Sequence, residues 1–224
     1  MTTTHPPQWT ELLPADRPAA LLLRHAEREP ILTPEESLTA PLTAGGRRRA
    51  EELGRRLARF PRLVLHHSPV GRCRQTAEAV ARGAEDAGCP DVKLAGELRV
   101  LGGPYMLDWR TVMPRFLERG AGPFMRDWFA GRQPPGLVRD SRQSARQQLE
   151  HLQEQVSSAG AAGLFLNVSH DINVLLVRHF YLEHGQELFG WPEYLEALAL
   201  YRDGDAWRLR RGELVRTLEP GEPA

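Results

Sequence analysis

Residues 19–23, Ala-Ala-Leu-Leu-Leu, form a continuous apolar run that breaks abruptly into charge at Arg24. A run this short, without an amphipathic period, reads as a buried strand. Residues 63–67 and 163–168 read as two further strands, and each also gives way to polar residues. The segments around them carry helical signals. In residues 47–60, Ala50, Leu53, Leu57 and Phe60 share one face at helical spacing. Residues 72–87 read as a helix with Gly88 as its stop, and residues 141–158 and 172–183 as two more. Strands alternating with helices predict an α/β fold, a three-layer α/β/α sandwich around a largely parallel sheet. Residues 195–201 and 206–210 read as a terminal hairpin turning at Asp203-Gly204.

The chain, residues 1–224, is expected to form one domain. Residues 1–18 would be a Pro-rich lead-in with a short helix near Trp9. Residues 102–135 differ in character, interleaving Gly and Pro with Tyr105, Trp109, Phe116, Phe124, Trp128 and Phe129. They read as a lid-like insert over the ends of the strands, or as plain core.

Composition narrows the function classes. Lys and Arg total 29 against 29 Asp and Glu, so no net field draws the chain to nucleic acid or an anionic membrane. Lys93 is the single lysine, so arginine is the default cation here and only its position is informative. Two cysteines are too few for a disulfide framework, and no N-terminal run is long enough for a signal or a span. A cytoplasmic protein acting on a small molecule is the expectation, with oligomeric state open.

The strand ends carry the chemistry. The first ends in Arg24-His25-Ala26-Glu27-Arg28-Glu29-Pro30, the second leads into Ser68-Pro69-Val70-Gly71-Arg72-Cys73-Arg74-Gln75-Thr76-Ala77, and the third ends in Ser169-His170-Asp171. In an open α/β sheet ligands sit at the carboxyl ends of the strands. A buried strand ending in a cation needs an anion to meet it. Arginine forks match phosphate oxygens, and a neutral imidazole among them is placed to attack phosphorus. Each cluster taken singly also fits a plain structural reading: Arg-His as a surface turn, Asp171 as a helix start favoured by the dipole, Arg74 as a solvated helix face.

Taken in order, these motifs resemble those of the histidine phosphatase superfamily, the phosphoglycerate-mutase-like enzymes and acid phosphatases. Residues 24–30 are similar to its R-H-G-x-R-x-P, with Ala26 in place of glycine. Leu42-Thr43-Ala44-Gly45-Gly46 is similar to L-T-x-x-G, residues 68–77 to S-x-x-x-R-x-x-Q-T-A, and His170-Asp171 to the H-D of the acid phosphatase branch. The resemblance implies His25 as a transiently phosphorylated nucleophile. It places Arg24, Arg28, Arg72 and His170 around the phosphate, and it implies transfer without a metal or other cofactor. For the proton donor, Val100 stands where the mutase-like branch has a glutamate, so Asp171 is the expected donor, with Glu97 and Glu27 as alternatives. A phosphomonoesterase is the leading expectation. A phosphate-returning mutase and a non-catalytic phosphate-binding module of the same fold are its rivals.

Other candidates are weaker. Neither Cys73 nor Cys89 has an arginine six positions on, so a cysteine phosphatase is not supported. His66-His67 has no further ligand at supporting spacing, and His67 is a minor candidate for the pocket. Arg110, Arg115 and Arg126 of the aromatic segment are candidates for reading a second anionic group.

Overall fold

A computed structural model of the chain describes residues 8–33, 35–103 and 105–219. The first seven residues of the expected lead-in, and Pro34 and Pro104, lie outside the described residues. In chain order, a 3-10 turn at Gln8–Leu12 precedes β1 (Pro18–Arg24), α1 (Glu36–Thr39), α2 (Ala44–Leu57), β2 (Leu63–His67), α3 (Gly71–Asp86) and β3 (Val92–Glu97). A second 3-10 turn, Arg99–Leu101, leads to α4 (Trp109–Arg119), α5 (Ala121–Phe129), α6 (Ser141–Ser158), β4 (Gly163–Ser169) and α7 (Asp171–Tyr181). The chain continues through α8 (Gln186–Phe189), β5 (Ala197–Asp203), β6 (Ala206–Arg211) and β7 (Leu214–Thr217).

The sheet order is β3-β2-β4-β1-β5-β6-β7. Its first four strands are parallel, and β5, β6 and β7 add antiparallel strands beyond β1. The sheet is therefore mixed, with a parallel half that holds all three strand ends singled out by the sequence.

Alternation along β1 explains the layers. Ala19, Leu21 and Leu23 point into one core, with Ala50, Leu53 and Leu57 of α2 and Val80 and Ala84 of α3. Ala20 and Leu22 point into the other, with Leu149 and Leu152 of α6 and Leu175 and Leu176 of α7. A strand buried on both faces reads as the unbroken apolar run seen in the sequence. Helices α2 and α3 pack almost backbone to backbone, because a Cβ at Gly83 would collide with the Glu51 carbonyl. A Cβ at Gly46 would likewise strike the Glu27 backbone, so glycine there lets the start of α2 lie directly under the loop after His25. Thr43 caps α2, its hydroxyl oxygen accepting from Gly46 N at 2.8 Å.

The aromatic segment contributes to both the second core and the cleft, and Tyr105 belongs to both. Phe124, Met125 and Trp128 are buried in the second core, while Tyr105, Met106, Trp109 and Phe116 face the cleft at the strand ends. Its floor is tied down by Asn173 of α7, whose Nδ2 donates to the carbonyls of Leu101 and Gly102 at 3.1 and 2.9 Å. Among the described residues no helix is long and apolar enough to cross a membrane.

Candidate active site

Sheet register brings the predicted residues together. Arg24 pairs with Ser169 across β1 and β4, and His67 pairs with Val168 across β2 and β4. The ladders run one residue further, through His25 N to Ser169 O and Ser68 N to Val168 O, both at 2.9 Å. His25, Ser68 and His170 thus leave the sheet at the same level, on its carboxyl edge.

His25 is 2% exposed. Its Nδ1 lies 2.7 Å from the Ala26 carbonyl, which can only accept, so Nδ1 carries the proton and Nε2 presents a lone pair. The Arg72 Nε–H donates to that lone pair at 3.0 Å. Burial, with His170 and Arg72 alongside, holds the ring well below its ordinary pKa, so His25 is neutral. Ala26 fits where the family pattern has glycine: its backbone is not at positive φ, and its N–H donates to Thr76 Oγ1 at 3.1 Å.

Arg72 stands on the first turn of α3 and is 8% exposed. Besides His25 it donates to the Ser37 carbonyl at 2.6 Å and to His170 Nδ1 at 3.1 Å. Since His170 Nδ1 accepts, its Nε2–H is the donor to Ser68 Oγ at 2.9 Å. Burial, then Arg72, pushes the His170 pKa down to about 3. Every acceptor found for Arg72 is neutral.

Asp171 opens α7, with Oδ1 accepting from Ile172 N at 2.9 Å. Its Oδ2 meets Arg24 at 3.0 Å and the Trp191 indole N–H at 2.9 Å. Burial pushes this carboxyl up, but Arg24 and the Trp191 hydrogen bond outweigh it and bring the pKa down to about 2. Arg24 also donates to the Pro192 carbonyl, leaves its Nε unpartnered and lies over the Tyr194 ring at 4.0 Å. Arg28 lines the same cleft, half-buried, with one N–H on the Glu29 carbonyl at 2.8 Å. The expected set of Arg24, His25, Arg28, Arg72, His170 and Asp171 therefore shares one cleft of 500 Å³.

The alternatives are elsewhere. Glu27 turns away onto the Thr43 hydroxyl at 2.9 Å and Arg49 at 2.6 Å, at the start of α2. Glu97 is exposed at the end of β3, and Val100 packs against the second core. Neither glutamate lines the cleft, where among the described residues Asp171 is the only carboxylate. Arg74 pairs with Glu78 on a solvated face, and His67 is not among the residues lining the cleft. Burial raises the Cys73 thiol to about 12, which leaves it a packing role. Arg110, Arg115 and Arg126 are exposed and do not face the cleft, and Arg126 pairs with Glu187 at 3.6 Å. Among the described residues no group of three or more His, Cys, Asp or Glu side chains is placed to hold a metal ion.

Sequence reading missed Trp191 and Tyr194, which come from the loop before β5 with no motif to mark them. Arg178 fixes that loop: fully buried, it donates to the His184 and Gly190 carbonyls at 3.1 and 2.9 Å and to Glu196 at 2.8 Å. The backbone carbonyl of Glu196 in turn accepts from Arg24 N at 2.9 Å.

A family model described as histidine phosphatase superfamily (branch 1) matches residues 20–181. The His170-Asp171 pair, which resembles the acid phosphatase branch, thus sits in a chain matched by the branch 1 model. No curated protein sequence matches the chain. Among solved structures, YhfR of Bacillus stearothermophilus superposes with a TM-score of 0.59 at 19% identity, covering 88% of this chain and 98% of its own. A mycobacterial glucosyl-3-phosphoglycerate phosphatase, solved with VO3, has a TM-score of 0.58 at 17% identity, covering 86% and 97%. A phosphoglycerate mutase from Bacillus anthracis has a TM-score of 0.55 at 14% identity, covering 93% and 95%. Phosphatases and a mutase thus share this fold.

Proposed function

Since the chain belongs to the histidine phosphatase superfamily, we propose that it hydrolyses a small phosphate monoester through a phosphohistidine on His25, with Asp171 as proton donor. The observation that carries this reading is Arg72, a buried guanidinium whose hydrogen-bond acceptors are two neutral imidazoles and one carbonyl. A buried cation without an anionic partner is costly and is relieved by a ligand that brings the charge. With Arg24 and Arg28 it makes three guanidinium groups against the one carboxylate of Asp171. This surplus of positive charge favours a phosphate monoester anion.

In the first step the Arg72 Nε–H hydrogen bond passes from the His25 Nε2 lone pair to a phosphate oxygen, the freed lone pair attacks phosphorus and the P–O ester bond breaks. The ester oxygen leaves with the electron pair and takes a proton from Asp171. Water then attacks the phosphohistidine, the P–N pair returns to Nε2, and Asp171 takes the water's proton. The three arginines hold the equatorial oxygens throughout, so the developing charge meets preset donors. Asp171 is a carboxylate in the free protein. Its proton arrives with a monoanionic substrate, and the phosphate then competes for Arg24 and raises the carboxyl's pKa beside it. The scheme draws its positive charge from arginine and takes no metal.

The test is hydrolysis of 4-nitrophenyl phosphate between pH 4 and 8, with and without EDTA, by the native protein and His25→Ala. Turnover that survives EDTA, falls at least about 10⁴-fold in the variant and leaves acid-labile phosphate on the native chain is expected. Full activity in His25→Ala would remove it as nucleophile. Interconversion of phosphoglycerate isomers without net release of phosphate would move the assignment to a mutase.

A further inference from the structure

The cleft has two chemically different ends. All its charged side chains, Arg24, Arg28, Arg72 and Asp171, and both imidazoles lie at the deep end around His25. Among the described residues the remaining lining contains no Lys, Arg, Asp, Glu, Asn or Gln side chain. Its wall is made largely by Tyr105, Met106, Trp109, Met113, Phe116 and Trp191. Burial keeps the Tyr105 phenol neutral, and the Trp191 N–H is already given to Asp171. A sugar or a carboxylate placed here would lose its water and find few partners, which is how such a wall selects against polar groups. Arg110, Arg115 and Arg126, the sequence's candidates for reading a second anion, do not line this space.

We propose that the alcohol half of the substrate is apolar, an aryl or arylalkyl group, and that the substrate carries no second anionic group. This rests on reading the deep end as the phosphate site. The cleft volume of 500 Å³ lies within the range of about 300–1,000 Å³ that encloses a ligand of that size. Specificity comes from the wall of α4 and the residues before it, and the arginines supply the affinity common to every monoester.

The proposal is tested with propyl, 3-phenylpropyl and 4-carboxybutyl phosphate, which share a primary alkoxide leaving group, so that chemical reactivity does not masquerade as recognition. Burying the phenyl ring is expected to raise kcat/KM about 10–100-fold over propyl phosphate, with no gain for the carboxylate ester. In Trp109→Ala the phenylpropyl-to-propyl ratio is expected to fall about tenfold, a ratio that a partly unfolded sample does not alter. Calorimetric binding of 3-phenylpropylphosphonate against propylphosphonate supplies a readout without turnover. Turnover of all three esters with no phenyl preference, or preference for the carboxylate, overturns the apolar assignment and leaves the phosphatase intact. No turnover with a tenfold phosphonate preference does the reverse: it upholds the apolar assignment and overturns the phosphatase.

Discussion

Arg72 and Arg178 are both buried guanidinium groups, alike in burial and opposite in meaning. Arg178 has an anionic partner: two carbonyls and the Glu196 carboxylate accept from it, and Glu196 is further held by Arg211 at 2.9 Å. Its charge meets a carboxylate inside the protein, shared with Arg211, and the result is a fixed loop. Arg72 makes as many hydrogen bonds, but to neutral acceptors only. Its geometry is satisfied while its charge is not. Hydrogen-bond counting alone would rank the two alike; the sign and protonation of the acceptors separate a structural arginine from one waiting for an anion.

The largest effects should come from exchanging each for leucine, because the two variants fail in different ways. Arg72→Leu removes a buried cation with no anionic partner, so the desolvation cost saved offsets much of the lost hydrogen bonding. Its stability in urea is expected to change by less than about 1 kcal/mol, while kcat/KM drops about 10²–10³-fold. Arg178→Leu strips Glu196 of one partner and frees the loop, and should cost about 3 kcal/mol with activity per folded molecule reduced less than about tenfold. If Arg72→Leu proves the more destabilising of the two, the comparison is wrong and Arg72 is a structural residue.

Among the described residues Asp171 supplies the only carboxylate lining the cleft, so neutralising it sharpens the contrast further. Asp171→Asn makes the cleft more positive and should bind inorganic phosphate more tightly, seen as a lower inhibition constant. Its kcat for an alkyl phosphate is expected to fall about 10²-fold, while 4-nitrophenyl phosphate, whose leaving group needs no proton, loses far less. The pH profile follows from the carboxyl sitting at about 2 in the free protein. Above that value Asp171 carries no proton of its own, so kcat/KM should track the monoanionic ester and decline above its second pKa of about 6. A flat profile to pH 9 would exclude Asp171 as donor.

These residues differ in how legible they were. His25, Arg72 and His170 were readable because each sits within one to five positions of a strand end, and parallel register turns that sequence position into a place in space. The buried strands and amphipathic helices were legible for the same local reason. Strand β3 was not, since its half-exposed Val92–Glu97 lacks an apolar run, and neither was β7, an edge strand with mostly exposed side chains. Trp191 and Tyr194 reach the site only because Arg178 and Glu196, far off in sequence from Arg24, fold their loop back across it. The ionised state of Asp171 was likewise invisible, since it depends on a contact between residues 24 and 171 and another from residue 191. The apolar wall was foreshadowed by the aromatic content of residues 102–135, but only packing divides that segment into core and cleft.

Trp191→Phe gives the smallest and most specific effect, because Trp191 joins two arginine centres, the Arg178 cluster and the Arg24–Asp171 pair. The Arg178 cluster holds its loop, and its indole N–H reaches the carboxylate that Arg24 also grips. Phenylalanine keeps an apolar ring beside the cleft and deletes one hydrogen bond to the ionised form, so the Asp171 pKa should rise from its depressed value. A depressed folded-state pKa stabilises the fold above the unfolded value of 3.8, and that stability is lost as the pH falls through the folded value. The variant should therefore begin acid unfolding at higher pH, by a few tenths of a unit. Its kcat for an alkyl phosphate is expected to change about threefold, with the preference for an apolar ester kept. Loss of activity as deep as in Asp171→Asn would mean that Trp191 touches the substrate's reacting end. An unchanged acid transition would mean that Arg24 alone sets the charge of Asp171, and the two arginine centres would then be energetically independent.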